Sequence, residues 1–80
     1  MLEKVVFGEV LKHLRKSKQL TQEKLALSSG MSRNSIGSLE KGEFNVTIDT
    51  LFKVAQGLEV LPEELIKQTR LELAKRQDHS

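Results

Sequence analysis

The chain is 80 residues long, carries 13 Lys and Arg against 11 Asp and Glu for a formal net charge of +2, and contains no Cys, Trp or Tyr. That length suits one small domain with a single core, and the lack of cysteine rules out a disulfide framework, a thiolate metal site and a Cys nucleophile. No apolar run approaches the ~18 residues that span a bilayer, and MLEKVVFGEV lacks the basic-then-apolar layout of a secretory leader, so a cytoplasmic protein is expected.

The first helix is expected over residues 5–17. Phe7, Val10, Leu11 and Leu14 recur at i, i+3, i+4 and i+7, while Glu9, Lys12, His13, Arg15 and Lys16 fall on the other face. Ser17, Lys18 and Gln19 make a loop, and Leu20 is placed to act as a hydrophobic staple before the next cap. Thr21 caps a second helix (21–28), because its hydroxyl can accept an otherwise orphan backbone N–H. Gly30 stops that helix where a left-handed residue is needed. Ser32 caps a third helix (32–40), which Gly42 closes.

Leu25, Ala26, Met31, Ile36 and Leu39 share one side of this pair, and Ala26 sits where a side chain larger than methyl would push the helices apart. Two short helices meeting steeply at a Gly-containing turn make a helix-turn-helix, here over about 21–41. Glu43 to Val46 form a loop. Thr47 caps a fourth helix with Ile48, Leu51, Phe52, Val54, Ala55 and Leu58 as its apolar residues. Pro62 opens a fifth (62–74), with Glu63 and Glu64 against the positive end of its dipole. Leu65, Ile66, Leu71 and Leu73 exceed what a four-helix core needs, and fraying is expected from Lys75. With no strand pattern, the expected fold is all-α, one five-helix domain over residues 1–80.

Charge is unevenly spread. From Lys12 to Gly42 seven basic residues face only Glu23 and Glu40, a surplus of five positive charges, whereas Glu43 to Ser80 holds five basic and seven acidic residues. A basic half on so small a domain is the electrostatic footprint of a nucleic-acid binder. The outer face of the third helix carries Arg33, Asn34, Ser35, Gly37, Ser38 and Lys41, with almost no apolar surface and no acid. Ser, Asn and Gly are poor helix formers, so a requirement other than helix propensity selects them.

LTQEKLALSSGMSRNSIGSLEKG, followed by a helix ending in VAQGLEV, resembles the phage repressor/Cro-type (XRE-like) helix-turn-helix regulators over about residues 7–65. Leu20-Thr21-Gln22-Glu23, Leu25-Ala26, Gly30, Ser32-Arg33, Ile36, Leu39-Glu40 and Gly42 agree with the family pattern in register. Within that family, the small size and Gly57-Leu58-Glu59-Val60 are similar to controller proteins of restriction–modification systems. The resemblance implies a repressor-like DNA-binding domain that acts as a homodimer on double-stranded DNA bearing a palindromic operator and regulates transcription, with no cofactor or metal. Two positions depart from the pattern. Glu59 stands where many relatives have a helix-ending glycine, and Leu61 stands where Ser or Thr commonly caps the fifth helix.

Such domains set the third helix into the major groove with its N-terminal residues at base edges. Arg33 suits guanine O6 and N7, Asn34 suits adenine or a phosphate, Gly37 lets the helix sit close or accommodates a thymine methyl, and Ser38 serves base or backbone. Phosphate contacts are expected from Thr21, Gln22, Ser32, Ser35, Lys41 and Asn45, with Lys16 or Lys18 at the other side. Glu40 is expected to pair with Arg15 at the surface, a contact worth about 0–1 kcal/mol. Lys24 reads as merely solvated. A dimer surface is expected from Leu58, Leu61, Leu65 and Leu73, pairing isologously and setting the two reading helices about 34 Å apart.

Catalysis finds no support. His13 lies in a basic helix and His79 in the tail, with no nucleophile–base set, phosphate loop or metal-ligand spacing. The alternative within reach is an antitoxin that binds a toxin partner and its own promoter; only Leu71 to Ser80 is spare for wrapping one.

Overall fold

In the computed structural model, residues 2–77 are described; His79 lies outside them. Five helices follow one another: α1 Leu2–Ser17, α2 Gln22–Ser29, α3 Arg33–Glu40, α4 Ile48–Leu58 and α5 Pro62–Gln77. The three hydroxyl caps are where the sequence places them. Thr21, Ser32 and Thr47 are extended, and each side chain accepts the backbone N–H three residues on, from Lys24, Ser35 and Thr50 respectively. α2 packs chiefly on α4 and α3, and α1 on α5 and α3. The core they enclose contains Phe7, Leu11, Leu25, Ala26, Ile36, Leu39, Leu51, Val54, Ala55, Leu58 and Leu65.

Three expectations need correcting, and one contact was not anticipated. α1 begins at Leu2, three residues earlier than the periodicity implies, and Val6, not among the apolar positions expected on its inner face, is wholly buried. α5 continues to Gln77 instead of fraying at Lys75, because Arg76 donates a hydrogen bond to Glu9 of α1 and lies 3.9 Å from Glu72 one turn back. Ala26 is buried as expected, but a further close approach of helices falls at Gly8. A β-carbon there would lie 2.5 Å from the backbone oxygens of Leu39 and Glu40, so only glycine lets α1 reach the end of α3. Arg15, assigned to the wet face of α1, is 7% exposed.

Helices α1 to α4 all end in the same way. A backbone N–H reaches back five residues in Leu20→Arg15 (3.1 Å), Met31→Ala26 (2.9 Å), Glu43→Ser38 (3.1 Å) and Val60→Ala55 (3.0 Å). The residue before each donor is left-handed: Gln19, Gly30, Gly42 and Glu59. These are Schellman ends, and they satisfy carbonyls that would otherwise be orphaned. The missing glycine at Glu59 therefore does not change how α4 terminates; a glutamate adopts the glycine conformation (φ 60°). A non-glycine residue there costs about 1–2 kcal/mol, partly offset because it has less freedom to lose on folding. Glu59→Gly is accordingly expected to raise stability by about 0.5–1 kcal/mol, read as a higher urea midpoint at unchanged slope.

Candidate nucleic-acid interface

α3 is two turns long and divided along its length. Ile36, Leu39 and Glu40 are buried, whereas Arg33 and Asn34 are exposed and Ser35, Gly37 and Ser38 are half-exposed. Among the described residues no hydrogen bond or ion pair engages the side chains of Arg33, Asn34 or Ser38. Arg33, Asn34 and Ser38 thus give the outer surface of this helix donors and acceptors that are unused among the described residues. A β-carbon at Gly37 would touch only the amide of Gln22, at 3.9 Å. The protein itself therefore leaves room for a side chain at position 37.

The end of α3 is fastened by a buried ionic cluster. Arg15 Nε donates to Glu40 Oε2 at 2.6 Å, its Nη2 donates to Glu40 Oε1 at 3.2 Å, and its Nη1 donates to the Leu20 carbonyl at 2.8 Å. Gln22 Nε2 donates to Glu40 Oε1 at 3.0 Å. The Arg15–Glu40 partnership expected from the sequence is present, but the side chains are 8% and 3% exposed. The surface-pair value does not apply to a pair taken out of water. The Glu40 carboxylate thus ties α3 to α1 and α2, and the Arg15 guanidinium adds the loop before α2.

The hydroxyls expected at phosphates are partly occupied. Ser32 Oγ accepts from the Ser35 N–H and donates to Ser35 Oγ at 2.9 Å, which leaves the Ser35 proton free to donate outward. Thr21 Oγ1 accepts from the Lys24 N–H and keeps its own proton. Lys16, Lys18, Lys41 and Asn45 are exposed, and among the described residues no ion pair engages the three lysines. Gln22 is turned inward to Glu40, a connection with no periodic signature in the sequence.

The apolar surface is distributed differently from the expectation. Leu58 and Leu65 are 1% and 0% exposed; they are packed in the core of the single chain and are not available to a partner. Leu61 is exposed, and Leu73 is half-buried in a groove of about 780 Å³ between α1, the loop before α4, α4 and α5. Ile48 and Ile66, 68% and 52% exposed, line that groove too, and Phe52 is exposed one turn beyond Ile48 on α4. The signal for this was legible: six apolar residues on an 11-residue helix exceed one stripe, and Ile48 and Phe52 form a second, at i and i+4.

A Helix-turn-helix family model matches residues 11–65. The chain is 42% identical over 62 residues to an uncharacterised HTH-type transcriptional regulator, y4dJ, of Sinorhizobium fredii, covering 78% of this chain and 80% of that protein. It is 33% identical over 69 residues to the control protein C.BamHI of Bacillus amyloliquefaciens, covering 85% of each. Among solved structures, the restriction-modification controller protein C.AhdI of Aeromonas hydrophila superposes with a TM-score of 0.78 at 40% identity, covering 81% of this chain and 98% of that one.

Proposed function

Because this chain belongs to the helix-turn-helix family, as the match over residues 11–65 establishes, we propose that it is a DNA-binding transcriptional regulator that reads a palindromic operator with α3. The observation that carries this reading is the outer face of α3, where among the described residues no hydrogen bond or ion pair engages the side chains of Arg33, Asn34 or Ser38. Arg33, Asn34, Gly37 and Ser38 meet base edges in the major groove. Thr21, Ser35, Lys16, Lys18, Lys41 and Asn45 hold phosphates on either side, setting register and affinity without sequence information. One of the relatives described above is a control protein and another a restriction-modification controller protein, which supports a controlling role for this chain.

The active species is a homodimer, and the apolar stripe of Ile48, Phe52, Ile66 and Leu61 supplies its contact. Ile48 and Ile66 line one groove and Phe52 stands one turn beyond Ile48, and exposed apolar side chains so gathered on a small domain mark an association surface. A two-fold axis through it would present two α3 helices to successive major grooves.

Fluorescence anisotropy with the gene's own upstream duplex and a random duplex, across a salt series, tests the reading. The upstream DNA is expected to bind ~10³-fold or more tightly. Arg33→Ala should erase about 1–3 kcal/mol of discrimination at one base pair. Equal affinity for both duplexes, unchanged by Arg33→Ala, would overturn the proposal. Gly37→Ala gives a sharper check, because its two effects have opposite signs. Replacing a helical glycine for which the fold leaves room should stabilise the free domain by about 0.5–1 kcal/mol. The added methyl group, at the groove, should weaken operator binding by about as much as one mismatched pair, ~1–3 kcal/mol.

A further inference from the structure

Gln22, at the start of α2, belongs by position with the residues that grip phosphate, yet its side chain does not point along the helix N-terminus. Its amide lies across the space above Gly37, with Nε2 and Oε1 each 3.9 Å from where a β-carbon of residue 37 would stand. It is held there by the hydrogen bond from Nε2 to Glu40 Oε1 at 3.0 Å. Glu40 is held in turn by both nitrogens of the Arg15 fork. A carboxylate only accepts, so the amide nitrogen must face Glu40 and the orientation of the amide is settled by chemistry. Among the described residues, one N–H of Nε2 and the Oε1 lone pairs then remain unused, side by side, at the level of the one reading-face residue that has no side chain.

A donor and an acceptor in one plane at that spacing are what adenine offers a complement to: N7 accepts, and the N6 amino group donates. We propose that Gln22 is a specificity-determining residue, reading an adenine in each half-site in the place left by Gly37, with the Arg15–Glu40 pair as its positioning support. The glycine admits the base edge, and the α2 amide reads it. This assignment rests on the operator-binding reading above and replaces a phosphate role for Gln22 by a base role.

The test compares wild type and Gln22→Ala on an operator duplex in which each base pair of one half-site is changed in turn. It repeats the comparison on duplexes carrying 7-deazaadenine, which lacks the N7 acceptor. Wild type should prefer adenine at one position by about tenfold or more and should lose affinity with 7-deazaadenine there. Gln22→Ala should bind all bases at that position alike, ignore the deaza substitution, and keep the wild-type salt slope. A thermal melt of Gln22→Ala confirms that it is folded, and the deaza duplex tests wild type without any variant. If Gln22→Ala weakens every duplex equally, random DNA included, and lowers the salt slope by about one, Gln22 holds a phosphate and the assignment is wrong. If Gln22→Ala binds every duplex as wild type does, the assignment is also wrong. A wild type with no base preference anywhere would instead remove the operator-binding reading itself.

Discussion

Glu40→Ala is expected to lower the stability of this domain by about 3–5 kcal/mol, because it leaves the Arg15 guanidinium charged, buried and short of two acceptors. A domain of this length has on the order of 4–12 kcal/mol in total, so the variant should be close to unfolding at ambient temperature. The cost arises from the orphaned charge and not from a large net worth of the pair. Replacing both partners by apolar residues of similar volume, as in Arg15→Met with Glu40→Leu, should therefore recover much of the loss. Urea denaturation of the single and double variants decides the matter. A loss below about 1 kcal/mol in Glu40→Ala would mean that the pair behaves as a solvent-exposed one.

Leu65→Ala is expected to cost about 2–5 kcal/mol, and to do so in the monomer. Leu65 is wholly enclosed by the core, so truncation leaves a cavity that the surrounding helices cannot fill. The neighbouring Ile66, exposed on the groove, should behave in the opposite manner. Ile66→Lys is expected to leave the single-chain fold within about 0.5 kcal/mol while shifting the sedimentation coefficient from dimer to monomer. Two adjacent residues thus separate folding from association. If Ile66→Lys sediments as wild type does at the same concentration, the association surface lies elsewhere.

Much of this molecule was legible because its signals are local. Thr21, Ser32 and Thr47 are caps whose chemistry acts within one turn, and Gly30 and Gly42 mark left-handed residues that few other side chains adopt at low cost. Glu59 shows the limit of that signal, since a glutamate carries the same conformation without the marker. What was not legible depends on distance in sequence. The Arg15–Glu40 pairing is implied by the family resemblance, but its burial is not legible, because a charge pattern speaks only for its own helix and Glu40 lies 25 residues away on α3. Surplus apolar residues near the C-terminus point to Leu58 and Leu65 as a dimer surface, whereas both close the core. The excess lies instead at Ile48 and Phe52, whose second stripe on α4 is visible in the sequence, and at Ile66, one of the residues the sequence marks as surplus. The inward turn of Gln22 is invisible to any pattern, because it is set by a carboxylate 18 residues away.

The brevity of α3 has a thermodynamic consequence. Eight residues cannot sustain a helix alone in water, where nucleation is costly and about 12–15 residues are the marginal length. This helix exists because Ser32 starts it, the left-handed turn at Gly42 ends it, and Glu40 is anchored to α1. None of those supports comes from DNA. Docking the reader therefore requires no coupled folding of the protein, and the binding heat capacity should carry only the contribution of the surface covered, without the large negative increment of a segment that orders on contact. Ile36 and Leu39, wholly buried on this helix, report on it through their backbone amides. Their hydrogen exchange should slow and quicken with the opening of the whole domain, so the reading helix is also a gauge of the stability of everything behind it.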